Sequence, residues 1–175
     1  MQNPQKRSAD MEPIMEQVNT EAEIRLLAQT ADEIWHEYFP CILSAEQIDY
    51  MVEKFQSPPA LTQQLRQENY RYYLLRIGGE IAGYMGCKSE GNKMFLSKLY
   101  VKQKYRGKGL GGFMLRFLFA LARKEGAGSV YLTVNRFNEH TIAVYKKTGF
   151  VIAKKQVSPI GNGYVMDDYI MECTL

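Results

Sequence analysis

The sequence predicts one α/β domain built on a mixed, mostly antiparallel sheet of about seven strands flanked by helices. Three observations carry this. Up to residue 68 apolar residues recur at helical spacing, and from Tyr70 the spacing turns to that of strands. Glycine turns at Gly78-Gly79, Gly91-Asn92 and Gly161-Asn162-Gly163 separate pairs of strand-like runs. Between the middle and last runs lie two helical stretches, so the expected order is β-α-α-β-β-β-α-β-α-β-β.

A chain of 175 residues fits one domain, covering residues 11–175, and polar residues 1–10 are expected to be a disordered tail. A short strand over 13–18 precedes a helix over 20–38. Thr20 serves as its N-cap and Glu23 completes a capping box, with Ile24, Leu27, Ile34 and Trp35 on one face. Pro40 ends that helix. Ser44 caps a second through Phe55, where Ile48, Met51, Val52 and Phe55 form the apolar stripe, and Ser57-Pro58-Pro59 breaks it. Residues 60–68 form a further helical segment. Strands are expected over 70–77, 80–87 and 93–101, then a glycine-rich run, an amphipathic helix over 110–124 and a strand over 129–134. A helix over 138–147 is closed by Gly149, and strands over 150–157 and 164–174 end the chain.

Composition narrows the function. An apolar fraction of 46% and a charged fraction of 23% are those of an ordinary globular protein. A net charge of +3 does not argue for nucleic acid, although lysines and arginines cluster around residues 98–108. Cys41, Cys87 and Cys173 show neither a disulfide framework nor metal-ligand spacing, so no metal is expected. The longest apolar run, 117–122, is too short for a membrane, and a cytoplasmic location is expected. Oligomeric state is not legible, and a homodimer stays open.

The functional signal is Arg106-Gly107-Lys108-Gly109-Leu110-Gly111-Gly112, between a strand and a helix. Glycines let a backbone approach a ligand, and the first amides of a helix lack internal partners, so the run suits a diphosphate. Gly107, Gly109 and Gly112 also fit the spacing of dinucleotide-binding folds. Two features oppose that reading: residues 102–105 separate the strand from the glycines, and the next strand ends Thr133-Val134-Asn135 without an acid for a ribose. A P-loop also fails, because no Ser or Thr follows Lys108.

The run resembles the cofactor loop R/Q-x-x-G-x-G/A of the GNAT superfamily of N-acetyltransferases, through Arg106, Gly109 and Gly111. Leu99-Tyr100-Val101 is similar to that family's splayed fourth strand. Residues 138–150 resemble its N-x-x-A-I-x-x-Y-x-x-x-G-F signature through Asn138, Ile142, Tyr145, Gly149 and Phe150, with alanine after isoleucine instead of before it. The resemblance spans residues 70–175 and implies acetyl-CoA as co-substrate and an amine acceptor. It implies that the amides of 106–112 hold the pyrophosphate and that the backbone of Leu99, Tyr100 and Val101 receives the thioester and pantetheine arm. A backbone N–H near Leu99 would stabilise charge on the thioester oxygen. Asn138 is either an N-cap or a cofactor contact, or both. Tyr145 is implied as the hydrogen-bond donor to the departing sulfur, or else a core tyrosine. A phenol near pKa 10 is a weaker acid than a thiol near 8.5, so complete proton transfer costs about 2 kcal/mol.

An amine near pKa 10.4 is neutral in only about one molecule in 2,500 at pH 7, a penalty near 4.6 kcal/mol, so a proton acceptor is needed. Histone-acetylating members use a glutamate on the fourth strand. The aligned residue here is Phe95, with Ser97 and Lys98 nearby, so a carboxylate base on that strand is not expected. His36, Glu37, Asp167 and Asp168 are the candidates to act through water, each with a structural alternative. Asp167-Asp168 would also attract a cationic acceptor, and bacterial polyamine acetyltransferases look like relatives. Cys87 could carry an acetyl-enzyme, or be inert packing. The leading expectation is direct transfer to a primary amine, on a small amine, polyamine or peptide, in a ternary complex. The rival is a non-catalytic acyl-CoA sensor or interaction module.

Overall fold

The computed structural model describes residues 12–175, so the expected tail over 1–10 lies outside the described residues. The elements are β1 (Ile14–Gln17), α1 (Glu21–Tyr38), α2 (Ala45–Gln56), α3 (Pro58–Gln67), β2 (Arg71–Ile77), β3 (Glu80–Glu90), β4 (Lys93–Val101), α4 (Leu110–Lys124), β5 (Ser129–Asn135), α5 (Glu139–Lys147), β6 (Val151–Gly161) and β7 (Tyr164–Thr174). They form one seven-stranded sheet in the order β1-β2-β3-β4-β5-β7-β6. Every pairing is antiparallel except β4 with β5. The expected α/β architecture and element order are therefore present.

Local signals fix the helix starts. The Thr20 side chain accepts from the Glu23 amide while the Glu23 carboxylate accepts from the Thr20 amide, closing the capping box. The Ser44 hydroxyl accepts from the Gln47 amide. Ser57-Pro58-Pro59 does break α2, but it also starts α3, because prolines at the first two helical positions have no amide to leave unpaired. The further helix thus begins two residues earlier than its apolar spacing indicated.

The sheet buries both faces. Tyr73, Leu75, Met85, Met94 and Leu96 pack with Met114, Leu118, Ile142 and Phe150 on the side of α4 and α5. Tyr72, Leu74 and Tyr84 pack beneath α1 and α3 with Ile24, Leu27 and Leu61. Two buried phenols bind this helical layer to the sheet. Tyr84 accepts from Trp35 Nε1 at 3.0 Å and donates to Gln56, and Tyr72 donates to Gln64.

The middle of the sheet opens. β4 pairs with β5 only from Lys93–Ser129 to Leu96–Leu132. Beyond that, Thr133 to Asn135 continue with β7, while Lys98 to Val101 continue with β3. The register between β3 and β4 shifts at this point, where Gly86 faces Lys98 and Cys87 faces Leu96, leaving Ser97 as an extra residue. A bulge adds bend and twist, which turns the end of β4 away from β5. At Gly83 a Cβ would lie 2.2 Å from the Tyr100 carbonyl oxygen, so glycine alone lets β3 follow β4 there.

Candidate active site

The wedge between β4 and β5 is one part of a cavity of about 580 Å3. Its walls join the open end of β4, the glycine loop, the start of α5, the ends of α1 and α2, and Asp168 of β7.

The β4 wall exposes backbone. Lys102 N–H donates to Ala82 on the β3 side at 2.8 Å. Strand alternation therefore turns the peptide groups of Val101 and Leu99 toward the gap. The Val101 carbonyl accepts from Arg106 Nε at 2.9 Å. Side chains alternate as well: Leu99 and Val101 pack against the α4 core, and Tyr100 lies on the opposite face against Trp35, Phe39 and Tyr84.

The loop ends in a bare helix start. Gly109, the residue before α4, has φ +74°, a conformation open to glycine at little cost, and its carbonyl accepts the first helical bond from Phe113. The amides of Leu110, Gly111 and Gly112 precede that first bond and have no helical partner, and a Cβ at Gly111 would meet nothing within 4 Å. This is an N-terminus shaped for an anion. Gly107, with φ +75°, also lines the cavity, whereas the Lys108 ammonium lies over the Tyr105 ring, outside the wall. Arg106 lies over the Tyr38 ring and pairs with Glu37, which also accepts from the Gln103 amide and so pins the loop.

Asn138 is the N-cap that its position indicated, and it also faces the cavity. It is buried, accepts from the Thr141 amide as N-cap of α5, lines the cavity and accepts from Tyr38 Oη at 3.0 Å. The Tyr38 hydroxyl is also 3.0 Å from the Thr141 hydroxyl. Tyr38 thus ties the end of α1 to the start of α5 across 100 residues of sequence, a contact no local pattern announces. Tyr145 lines the same cavity, its ring against Phe150, and makes no side-chain hydrogen bond among the described residues. Burial raises its pKa, and the nearby Tyr38 adds to the shift, so its proton is held firmly.

The four proton-acceptor candidates separate. His36 bonds Asp32 and Asp49 on the outside of α1 and α2, and the Asp49 contact is the main cause of its raised pKa. Glu37 belongs to the loop support just described. Asp167 pairs with Arg136 and Lys155 away from the cavity. Asp168 alone of the four lines it. Its Oδ1 is buried without a hydrogen-bond partner among the described residues. Burial, and secondarily Asp167, push its pKa up to about 6. Cys87 is fully buried in the α4 core, away from the cavity, with a thiol pushed up to about 11 by burial, which suits packing.

The sequence pattern of the acetyltransferase (GNAT) family matches residues 28–150. The chain belongs to that family. It is an acetyl-CoA-dependent N-acetyltransferase. An uncharacterized N-acetyltransferase of Mycobacterium tuberculosis is 29% identical over 133 residues, covering 75% of this chain and 85% of that protein. A spermidine N(1)-acetyltransferase of Thermoplasma acidophilum is 25% identical over 154 residues, covering 86% and 90%. Among solved structures, the PaiA N-acetyltransferase of T. acidophilum in complex with coenzyme A superposes with a TM-score of 0.78 at 22% identity, over 94% of this chain and all of that one. The last likeness is one of fold. Among the described residues, no helix of this acetyltransferase is long and apolar enough to cross a membrane.

Proposed function

We propose that this acetyltransferase moves the acetyl group directly from acetyl-CoA to a primary amine in a ternary complex, with Asp168 accepting the proton that the attacking nitrogen sheds and Tyr145 hydrogen-bonding the departing sulfur. One observation carries the reading: a single cavity joins the open peptide edge of β4, the unpaired amides of Leu110 to Gly112, the Tyr145 hydroxyl and the Asp168 carboxylate.

Those amides, with Gly107 and Gly109 letting the chain come close, hold the pyrophosphate. The Leu99 and Val101 peptide groups receive the pantetheine arm in place of a neighbouring strand, and Asn138 flanks it. The acceptor nitrogen, once its ammonium proton has gone to solvent, attacks the thioester carbon with its free lone pair, and a Leu99 amide facing the gap stabilises the oxyanion. As the C–N bond forms, the nitrogen becomes acidic and Asp168 takes its proton. A carboxylate of pKa about 6 is about nine-tenths ionised at pH 7, while a better base than an ordinary aspartate. The C–S bond then breaks and the thiolate accepts a hydrogen bond from Tyr145. Its raised pKa makes full proton transfer costlier than for a free phenol, so hydrogen bonding is its role.

Acetyl-CoA consumption against a panel of amines, amino acids and polyamines tests the reading. Turnover of at least one primary amine, with acetylamide and free CoA formed one to one, is the expected result. Tight CoA binding with no turnover would return the chain to the sensor alternative.

A further inference from the structure

Lys98 is a charged residue of the cavity that the reaction above does not use. It lines the wall on β4 at the bulge, partly buried, and its ammonium has one hydrogen bond, to the Ser97 hydroxyl at 2.9 Å. No carboxylate among the described residues forms an ion pair with it, and Glu68 acts on it only through space. The other cation of the wall, Arg106, is already committed to the Val101 carbonyl, Glu37 and the Tyr38 ring. Buried charges in folded proteins are normally paired. Burial pulls the Lys98 pKa down to about 8, which still leaves the group mostly protonated at pH 7.

The remaining walls decide what could meet it. Asp168 is the one carboxylate among the described lining residues. Lys98 sits on β4 and Asp168 on β7, with β5 between them and β4 already splayed from β5 at Lys98, so their backbones stand more than two strand spacings, more than about 10 Å, apart. Phe39, Met51, Phe55, Phe95, Ile160 and Met166 line the same cavity. A polyamine would find one carboxylate and an opposing ammonium. A ligand with an amine at one end, an apolar body and an anion at the other satisfies both charged residues.

We infer that Lys98 is an anion-binding residue of the acceptor site, and that the acceptor is a primary amine carrying a carboxylate or phosphate at the far end of an apolar body. This rests on the acetyl-transfer reading above. The test compares 4-(aminomethyl)benzoate, its phosphonate analogue and 4-(aminomethyl)benzylamine, which share one body and differ in the remote charge. Turnover is measured with acetyl-CoA, and binding to CoA-saturated protein by calorimetry, for wild type, Lys98→Met and Lys98→Glu. Wild type should prefer the anionic probes by at least about 10-fold, as a charge-assisted hydrogen bond allows. Lys98→Met should cut the anionic-to-cationic ratio by about 10- to 100-fold and Lys98→Glu should invert it. Each ratio is taken within one variant, so a general loss of folded protein cancels. Whichever of the carboxylate and phosphonate binds more tightly assigns the anion. A wild-type preference for the diamine, or a ratio unchanged by both substitutions, overturns the inference while leaving acetyl transfer intact. Selective calorimetric binding of the anionic probes without turnover would support the Lys98 anion site and overturn amines of this class as the acceptor.

Discussion

The two halves of the cavity are built from different materials. On the side proposed for the cofactor the groups on offer are backbone: peptide groups of β4 turned into a gap, and amides of α4 left open by glycines. On the acceptor side they are side chains brought from α1, α2, β4 and β7, with Lys98 and Asp168 nearly unpartnered within the protein. Backbone recognition suits a ligand part shared by all reactions of a family, because it needs only a strand, a bend and a helix start. Side-chain recognition suits the part that varies, because one substitution changes charge or shape and leaves the scaffold standing.

Asp168→Asn strikes the acceptor side hardest. It should lower kcat/KM by about 10²- to 10⁴-fold and remove the rise of wild-type kcat/KM with pH through about 6, since only ionised Asp168 accepts a proton. The same change should stabilise the fold. The folded pKa lies above the unfolded value, so the stability that protonated Asp168 contributes is present below the unfolded value, near 3.8, and is lost as pH rises to about 6. Asn carries no such charge, and urea unfolding at pH 7 should favour the variant by about 1 to 2 kcal/mol, after allowance for partial exposure, with the gain gone below pH 4. A pH limb that survives in the variant would exclude Asp168 as the base.

Tyr145→Phe tests the cofactor side. It should lower kcat by about 10- to 100-fold, the worth of a hydrogen bond to a developing thiolate, with CoA affinity nearly unchanged because the amides proposed to hold the pyrophosphate lie elsewhere. Weakened CoA binding with kcat intact would make Tyr145 a packing residue. The smallest effect is expected at Tyr38→Phe, which removes the link between α1 and Asn138. Stability should fall by about 1 kcal/mol and the KM for acetyl-CoA should change by a few-fold, measured by denaturant unfolding and initial rates. A large loss of kcat there would show that the seam between the two halves takes part in the chemistry.

The division of materials also governs how much could be read in advance. Capping of α1 by Thr20 and Glu23, the start of α4 at Leu110 and the bounds of β4 follow from residues adjacent in sequence. The glycine loop is legible for the same reason. Asp168 is one of four candidates, and what distinguishes it is its place on β7 opposite Asn135, in the lining of the cavity. In the sequence Lys98 is only one member of a basic cluster around residues 98–108. Residue spacing does not reveal that Ser97 is a bulge or that no carboxylate comes to pair with its neighbour.

The sequence by itself determined the layered α/β fold and the glycine-rich start of α4, because glycine conformation, helix capping and strand alternation act over a few residues, while the kind of reaction was legible only through the resemblance of its motifs to a family. The tertiary structure alone decided which of the candidate acids lines the cavity, which cation of its wall lacks a carboxylate and how Tyr38 closes on Asn138. Those properties are set by desolvation and distance between residues as far as 100 positions apart, and both exist only once the chain has packed.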